Sequence, residues 1–153
     1  MGAEATLESL GITVPDVVPP LAAYVPAMRT GNLVYTAGQL PARNGEMIAV
    51  GKVGGSVTEE QGYECARQCA LNALAAIKSE IGSLDNITRI VKATVFVAST
   101  PDFTNQAKVA NGASEFLGEV FGDAGRHARS AVGVAALPLD VAVEVELIVE
   151  VAG

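Results

Sequence analysis

The chain has 153 residues, half of them apolar, with a formal net charge of -7 at pH 7 and a pI near 4.6. That length supports one core rather than two domains, and the acidic balance disfavours nucleic acid, whose binding rests on Lys and Arg neutralising phosphates. No apolar run approaches the roughly 20 residues that span a bilayer, and the start MGAEATLESL lacks the regions of a secretion signal, so a soluble cytoplasmic protein with no membrane partner is expected.

Residues 1–30 carry Pro15, Pro19, Pro20 and Pro26, which fix backbone dihedrals and remove donors, so they read as an extended arm with at most one short helical turn. The opening MGAEAT fits a myristoylation pattern, but no basic stretch follows to supply a second membrane signal. A strand is expected over 32–40, then a tight turn at Asn44-Gly45, then a second strand over Met47 to Val50. The stretch GKVGGSV lacks the spacing and the hydroxyl of a phosphate loop and reads as a glycine-rich connection.

Thr58 with Gln61 three residues on forms a capping box, and Tyr63, Ala66, Ala70, Leu74, Ile77 and Ile81 draw one apolar stripe along a helix that Gly82 ends. Cys65 and Cys69 share a face of it and read as buried thiols. With one histidine in the chain, a four-ligand zinc site finds no support. Asn86 opens a glycosylation-like triplet that reads as chance.

Residues 87–97 are β-branched and predict a strand. Thr100-Pro101 then reads as the cap and first turn of a second helix through Phe121, with Val109, Ala113, Phe116 and Val120 on one face. Two strands follow, Arg129 to Val134 and Val141 to Val151. In the last, valines and Leu147 alternate with Glu144, Glu146 and Glu150, which gives the strand two unlike faces. The order predicts an α+β domain, one mixed sheet covered on one side by two helices.

The stretches AYVPAMRTGNLVYTAGQLP, IVKATVFV and ARSAVGVAALPLDVAVEVE resemble the YjgF-like or Rid proteins, whose best-studied members are imine deaminases. The longer form, with LESLGI ahead and GRHARSAVG behind, looks like a bacterial subgroup. The resemblance implies a chorismate-mutase-like fold, sheets packed together in a homotrimer, and sites between subunits without metal, cofactor or covalent nucleophile. By motif, Arg129 matches the arginine that grips the substrate carboxylate, Glu144 the acid that holds the attacking water, Tyr24 an aromatic lining the cleft, and Gly38 the Gly-Gln turn of the pocket. Ala37 and Ala131 stand where the family often has Ser and Cys, so the substrate-binding surface at Gly38 and Ala131 is less polar.

The arginine's planar fork would orient a small 2-imino acid, and an electrophilic imine carbon needs only a positioned water and a proton route. The expected activity is hydrolysis of 2-aminoacrylate-type imines to 2-keto acids and ammonia. Read from pattern alone, Arg129 forms a structural ion pair at a subunit interface, even with Glu144 itself, and Glu144 is a solvated acid on a polar strand face; the motif match reverses the reading of Arg129. Tyr24 alone reads as packing, and His127 as a hydrogen-bonding group of a loop or interface. The competing functions are a non-catalytic module that binds or senses a small carboxylate metabolite, an endoribonuclease disfavoured by charge, and a chorismate mutase suggested by fold only.

Overall fold

A computed structural model describes residues 2–20 and 22–153. Met1 and Leu21, both within the expected arm, lie outside the described residues. In chain order the elements are α1 (Ala3–Ser9), β1 (Ala27–Thr30), β2 (Leu33–Thr36), β3 (Ala42–Arg43), β4 (Glu46–Met47), α2 (Glu59–Ile81), β5 (Ile87–Ala98), α3 (Gln106–Phe121), β6 (Ala128–Val134) and β7 (Val143–Val151).

Five strands form one sheet in the order β1-β2-β7-β5-β6, and β3 and β4 form a separate hairpin. The sheet is mixed: β5 runs parallel to β6 and antiparallel to β7. A parallel pair needs a long crossover, and α3 supplies it between β5 and β6. Both long helices pack on one face, α2 against β7 and α3 against β5 and β6. Val143, Val145, Leu147, Val149 and Val151 of β7 are buried beneath them, as the alternation along the strand requires.

The capping box of α2 is made in full: Gln61 N–H donates to Thr58 Oγ1 at 3.1 Å and Thr58 N–H to Gln61 Oε1 at 2.8 Å. Burial on α2 exceeds the expected stripe, taking in Cys65, Cys69, Asn72, Ala73 and Ala76, because the helix lies between the sheet and α3. Burial pushes the Cys65 thiol up to about 11 and Cys69 well above the ordinary thiol value, so both are held as unreactive thiols. The Asn44-Gly45 turn has both residues at positive φ, 54° and 82°, the twist a two-residue hairpin favours.

Several boundaries differ from expectation. The strand expected over 32–40 is β2, which ends at Thr36 with Gln39 making an isolated bridge, and the end of the expected arm forms β1, paired with β2. The arm contains α1, a seven-residue helix, where at most one turn was expected. The prolines begin only at Pro15; ahead of them Leu7 is buried and Glu4 binds Leu84 N–H, Lys78 and Ser83, so tertiary contacts hold the helix. Helix α3 starts at Gln106 rather than at Pro101. Thr100 N–H is drawn to Val53 O at 3.0 Å and its hydroxyl to Asp102 Oδ1 at 2.8 Å, which ties residue 100 to the sheet side. The strand expected over Met47 to Val50 is reduced to β4, with Val50 making one isolated bridge to Val141.

The second face of the sheet carries Glu144, Glu146 and Ile148 from β7, Phe96 from β5, Val132 from β6, Tyr35 from β2 and Met28 from β1. No helix among the described residues covers it, and Met28 is 57% exposed. No helix among the described residues is long and apolar enough to cross a membrane.

Candidate functional site

Gln39 and Val145 exchange both backbone hydrogen bonds, at 2.8 and 3.0 Å, beyond the end of β2. That bridge sets Gly38 beside Glu144, and a methyl group built on Gly38 would overlap the Glu144 carboxylate. Glycine is therefore required here for close approach and not for an unusual dihedral. Tyr24, Gly38 and Glu144 line one small cavity of about 80 Å³ together with Pro19, Met47 and Pro138. Ligand pockets run to roughly 300–1,000 Å³, so this cavity alone is too small to enclose a ligand of that class.

Glu144 is half-buried, and no hydrogen-bond donor or cation among the described residues meets its carboxylate. Burial first, and the neighbouring Glu146 charge second, raise its pKa above the usual carboxylate range. Both effects disfavour the anion. A carboxylate so placed is a proton acceptor looking for a partner.

Arg129 does not enter this cavity. On β6 it is register-matched to Ala93, whose side chain is buried on the helix side. Its Nη1 donates to Asn111 Oδ1 at 2.8 Å and Ser114 Oγ at 3.2 Å, and Nη2 to Ala107 O at 3.4 Å, all on α3. Of the five guanidinium N–H groups, these bonds leave Nε–H and one on Nη2, the pair that can grip a carboxylate side-on. His127 extends the network, with Nε2 2.8 Å from Ser114 Oγ and Nδ1 2.6 Å from Gly125 O. A neutral ring protonated on Nδ1 satisfies every member: Nδ1–H donates to Gly125 O, the Ser114 hydroxyl donates to Nε2, and Arg129 donates to Ser114 Oγ. Arg126, His127 and Arg129 border one open groove.

Of the five positions singled out in the sequence, Tyr24, Gly38 and Glu144 therefore converge, while Arg129 and Ala131 share the helix side of β6. Ala131 packs at the edge of the core opposite Val95. Sequence reasoning missed Asn111 and Ser114, although two polar residues three apart among the apolar positions of α3 were a visible signal. It also missed that the arm, through Pro19, walls the Glu144 cavity.

A family model described as Endoribonuclease L-PSP matches residues 14–151. The chain belongs to this family, that of the YjgF-like or Rid proteins. Among its relatives is Protein TCP17 of Trypanosoma cruzi, 44% identical over 95% of this chain and 92% of that one. That match also carries the long form of the chain outside bacteria. The 2-iminobutanoate/2-iminopropanoate deaminase of Dermatophagoides farinae is 31% identical over 90% of this chain and 93% of that protein. A crystal structure of an Agrobacterium tumefaciens protein of unknown function superposes with a TM-score of 0.91 at 43% identity, covering 98% of this chain and 92% of that one. The mixed α+β fold of this chain, one main sheet with helices, matches the structures of the YjgF family.

Proposed function

We propose that this Rid protein hydrolyses small 2-imino acids of the 2-aminoacrylate type to 2-oxo acids and ammonia, in clefts between the subunits of a homotrimer. The observation that carries the reading is Glu144, a half-buried carboxylate with a raised pKa, pressed against glycine backbone and with no cation beside it among the described residues. Such a group binds water and takes its proton. The Dermatophagoides farinae relative named for this reaction supports the same chemistry.

An enamine first takes a proton on carbon to become the iminium ion, the protonated form of the imine. Water then attacks the iminium carbon, whose π electrons move to nitrogen, while Glu144 accepts the water proton, giving a neutral tetrahedral carbinolamine. The carboxyl returns that proton to nitrogen, ammonia leaves as the C–N bond breaks, and the remaining hydroxyl gives its proton to the regenerated Glu144 carboxylate, which passes it to solvent as the 2-oxo acid forms. Tyr24 and Gly38 line the cleft, with Ala131 on its other wall, and Arg129 of a neighbouring subunit holds the substrate carboxylate through Nε–H and Nη2–H. A second subunit is needed because a single chain presents Arg129 and Glu144 on opposite faces of its sheet. The uncovered apolar face, with Met28 and Tyr35, supplies the surface on which subunits associate.

The family's endoribonuclease description finds little support in a chain of net charge -7. The test couples an amino-acid oxidase or threonine dehydratase to the purified protein and follows the imine. Its accelerated disappearance is expected. A flat response across many amino acids would leave carboxylate binding without turnover.

A further inference from the structure

A second and much larger cleft, of about 1070 Å³, adjoins the Glu144 cavity beneath the N-terminal arm. The two share Val18, Pro19, Pro20 and Met47 as walls. The cleft also has a polar wall built from the inside of the protein. Asn72, 1% exposed, donates to Leu40 O and Ala42 O, both at 2.9 Å, and its Oδ1 accepts from Gln68 at 3.0 Å. Gln68, itself 7% exposed, accepts from Arg43 Nε at 3.1 Å.

This relay fixes Arg43 by one nitrogen at the cleft wall. Its two terminal nitrogens have no acceptor among the described residues, and neither Asp16, which lines the same cleft, nor Glu46, its cross-strand neighbour, forms an ion pair with it. The terminal edge of a guanidinium is a planar fork suited to a carboxylate. A single arginine with Asp16 in the same cleft is ill suited to a doubly charged phosphate. Beyond Arg43 the walls turn apolar, with Leu71, Met47 and the arm prolines.

We propose that this cleft binds a carboxylate bearing an apolar chain, the carboxylate on Arg43 and the chain running past Met47 toward the Glu144 cavity. The carboxylate anchor is Arg43 and not Arg129, so the proposal does not rest on imine turnover. Its test is calorimetric titration of the intact protein with octanoate, butanoate and octanamide. Octanoate binds once per chain, and butanoate, without the tail, and octanamide, without the charge, bind weaker by about tenfold or more.

Arg43→Gln keeps an N–H donor for Gln68 while removing the charged fork, so octanoate affinity falls by about tenfold or more with the melting temperature little changed. Arg129→Lys leaves octanoate affinity unaltered. Absence of octanoate binding at millimolar concentration would overturn the proposal. So would equal binding of octanamide, unchanged affinity in Arg43→Gln, or loss in Arg129→Lys instead.

Discussion

Within one chain, Arg129 and Glu144 lie on opposite faces of the same sheet: Arg129 is matched to Ala93 and bonds to α3, whereas Glu144 is matched to Phe96 and turns away from the helices. Neither residue can be the other's ion-pair partner inside a subunit. Each is held separately, the guanidinium by hydrogen bonds that leave one edge open, the carboxylate by burial with no cation beside it among the described residues.

Gly38→Ala tests the close approach at the carboxylate. The three atoms nearest the added methyl all belong to the flexible Glu144 side chain, so the fold yields by turning Glu144 aside. Imine hydrolysis is expected to fall by about tenfold or more while the melting temperature changes little. A fully active Gly38→Ala would show that the Glu144 position is not critical.

Glu144 and Glu146 share a strand face about 7 Å apart, and only Glu144 lines the cavity. Glu144→Gln is expected to slow hydrolysis by about a hundredfold or more, and Glu146→Gln far less. In the proposed scheme the ionised form of Glu144 is the active one, so the rate is expected to fall on the acid side at a pH above that of an ordinary carboxylate. Glu146→Gln removes one of the two raising influences and moves that limb to lower pH. The stability sign is opposite to that of a salt-bridged acid. A carboxyl with its pKa raised by folding destabilises the fold as pH rises through the folded value, so Glu144→Gln gains stability at neutral pH and none below the unfolded value. A pH–rate profile and melts at two pH values check both statements.

Ser114 holds Arg129 and accepts through its hydroxyl while donating to His127. It touches no substrate in this scheme and acts through the guanidinium. Ser114→Ala is expected to raise KM by about fivefold or more while kcat changes less, with Ser114→Thr restoring KM. A fall in kcat alone would place Ser114 elsewhere in the mechanism.

The α1 clamp gives a further pH signature. Burial by itself would raise the Glu4 pKa, but the Leu84 N–H, Lys78 and Ser83 together outweigh it and the net shift is downward. A lowered carboxylate stabilises the fold above its unfolded pKa, and that contribution is lost as pH falls through the folded value. Glu4→Gln therefore lowers the melting temperature at neutral pH, and the difference closes in acid. Thermal melts across pH test it.

The strongly periodic parts of the fold were legible in the sequence. The two-residue alternation of β7 and the stripe and capping box of α2 are local signals, and the structure keeps both. Thr100-Pro101 carried an equally good local signal for a helix start, yet the backbone of residue 100 is claimed by Val53 across the chain, which no local pattern reveals. The arm helix escaped notice because its support comes from Leu84, more than seventy residues away. The convergence of Tyr24, Gly38 and Glu144 followed from motif, whereas their separation from Arg129 depends on register and on which face β6 turns to α3.

The division of the site between subunits is tested most directly by mixing two inactive variants, Arg129→Lys and Glu144→Gln, through co-refolding and assaying imine hydrolysis. If each cleft takes its arginine from one subunit and its acid from the next around a closed ring, roughly a quarter of the clefts in an equal mixture contain both intact groups. Activity returning to about that fraction of the parent is the expected result. Mixed assemblies as inactive as either variant alone would contradict a site shared between subunits.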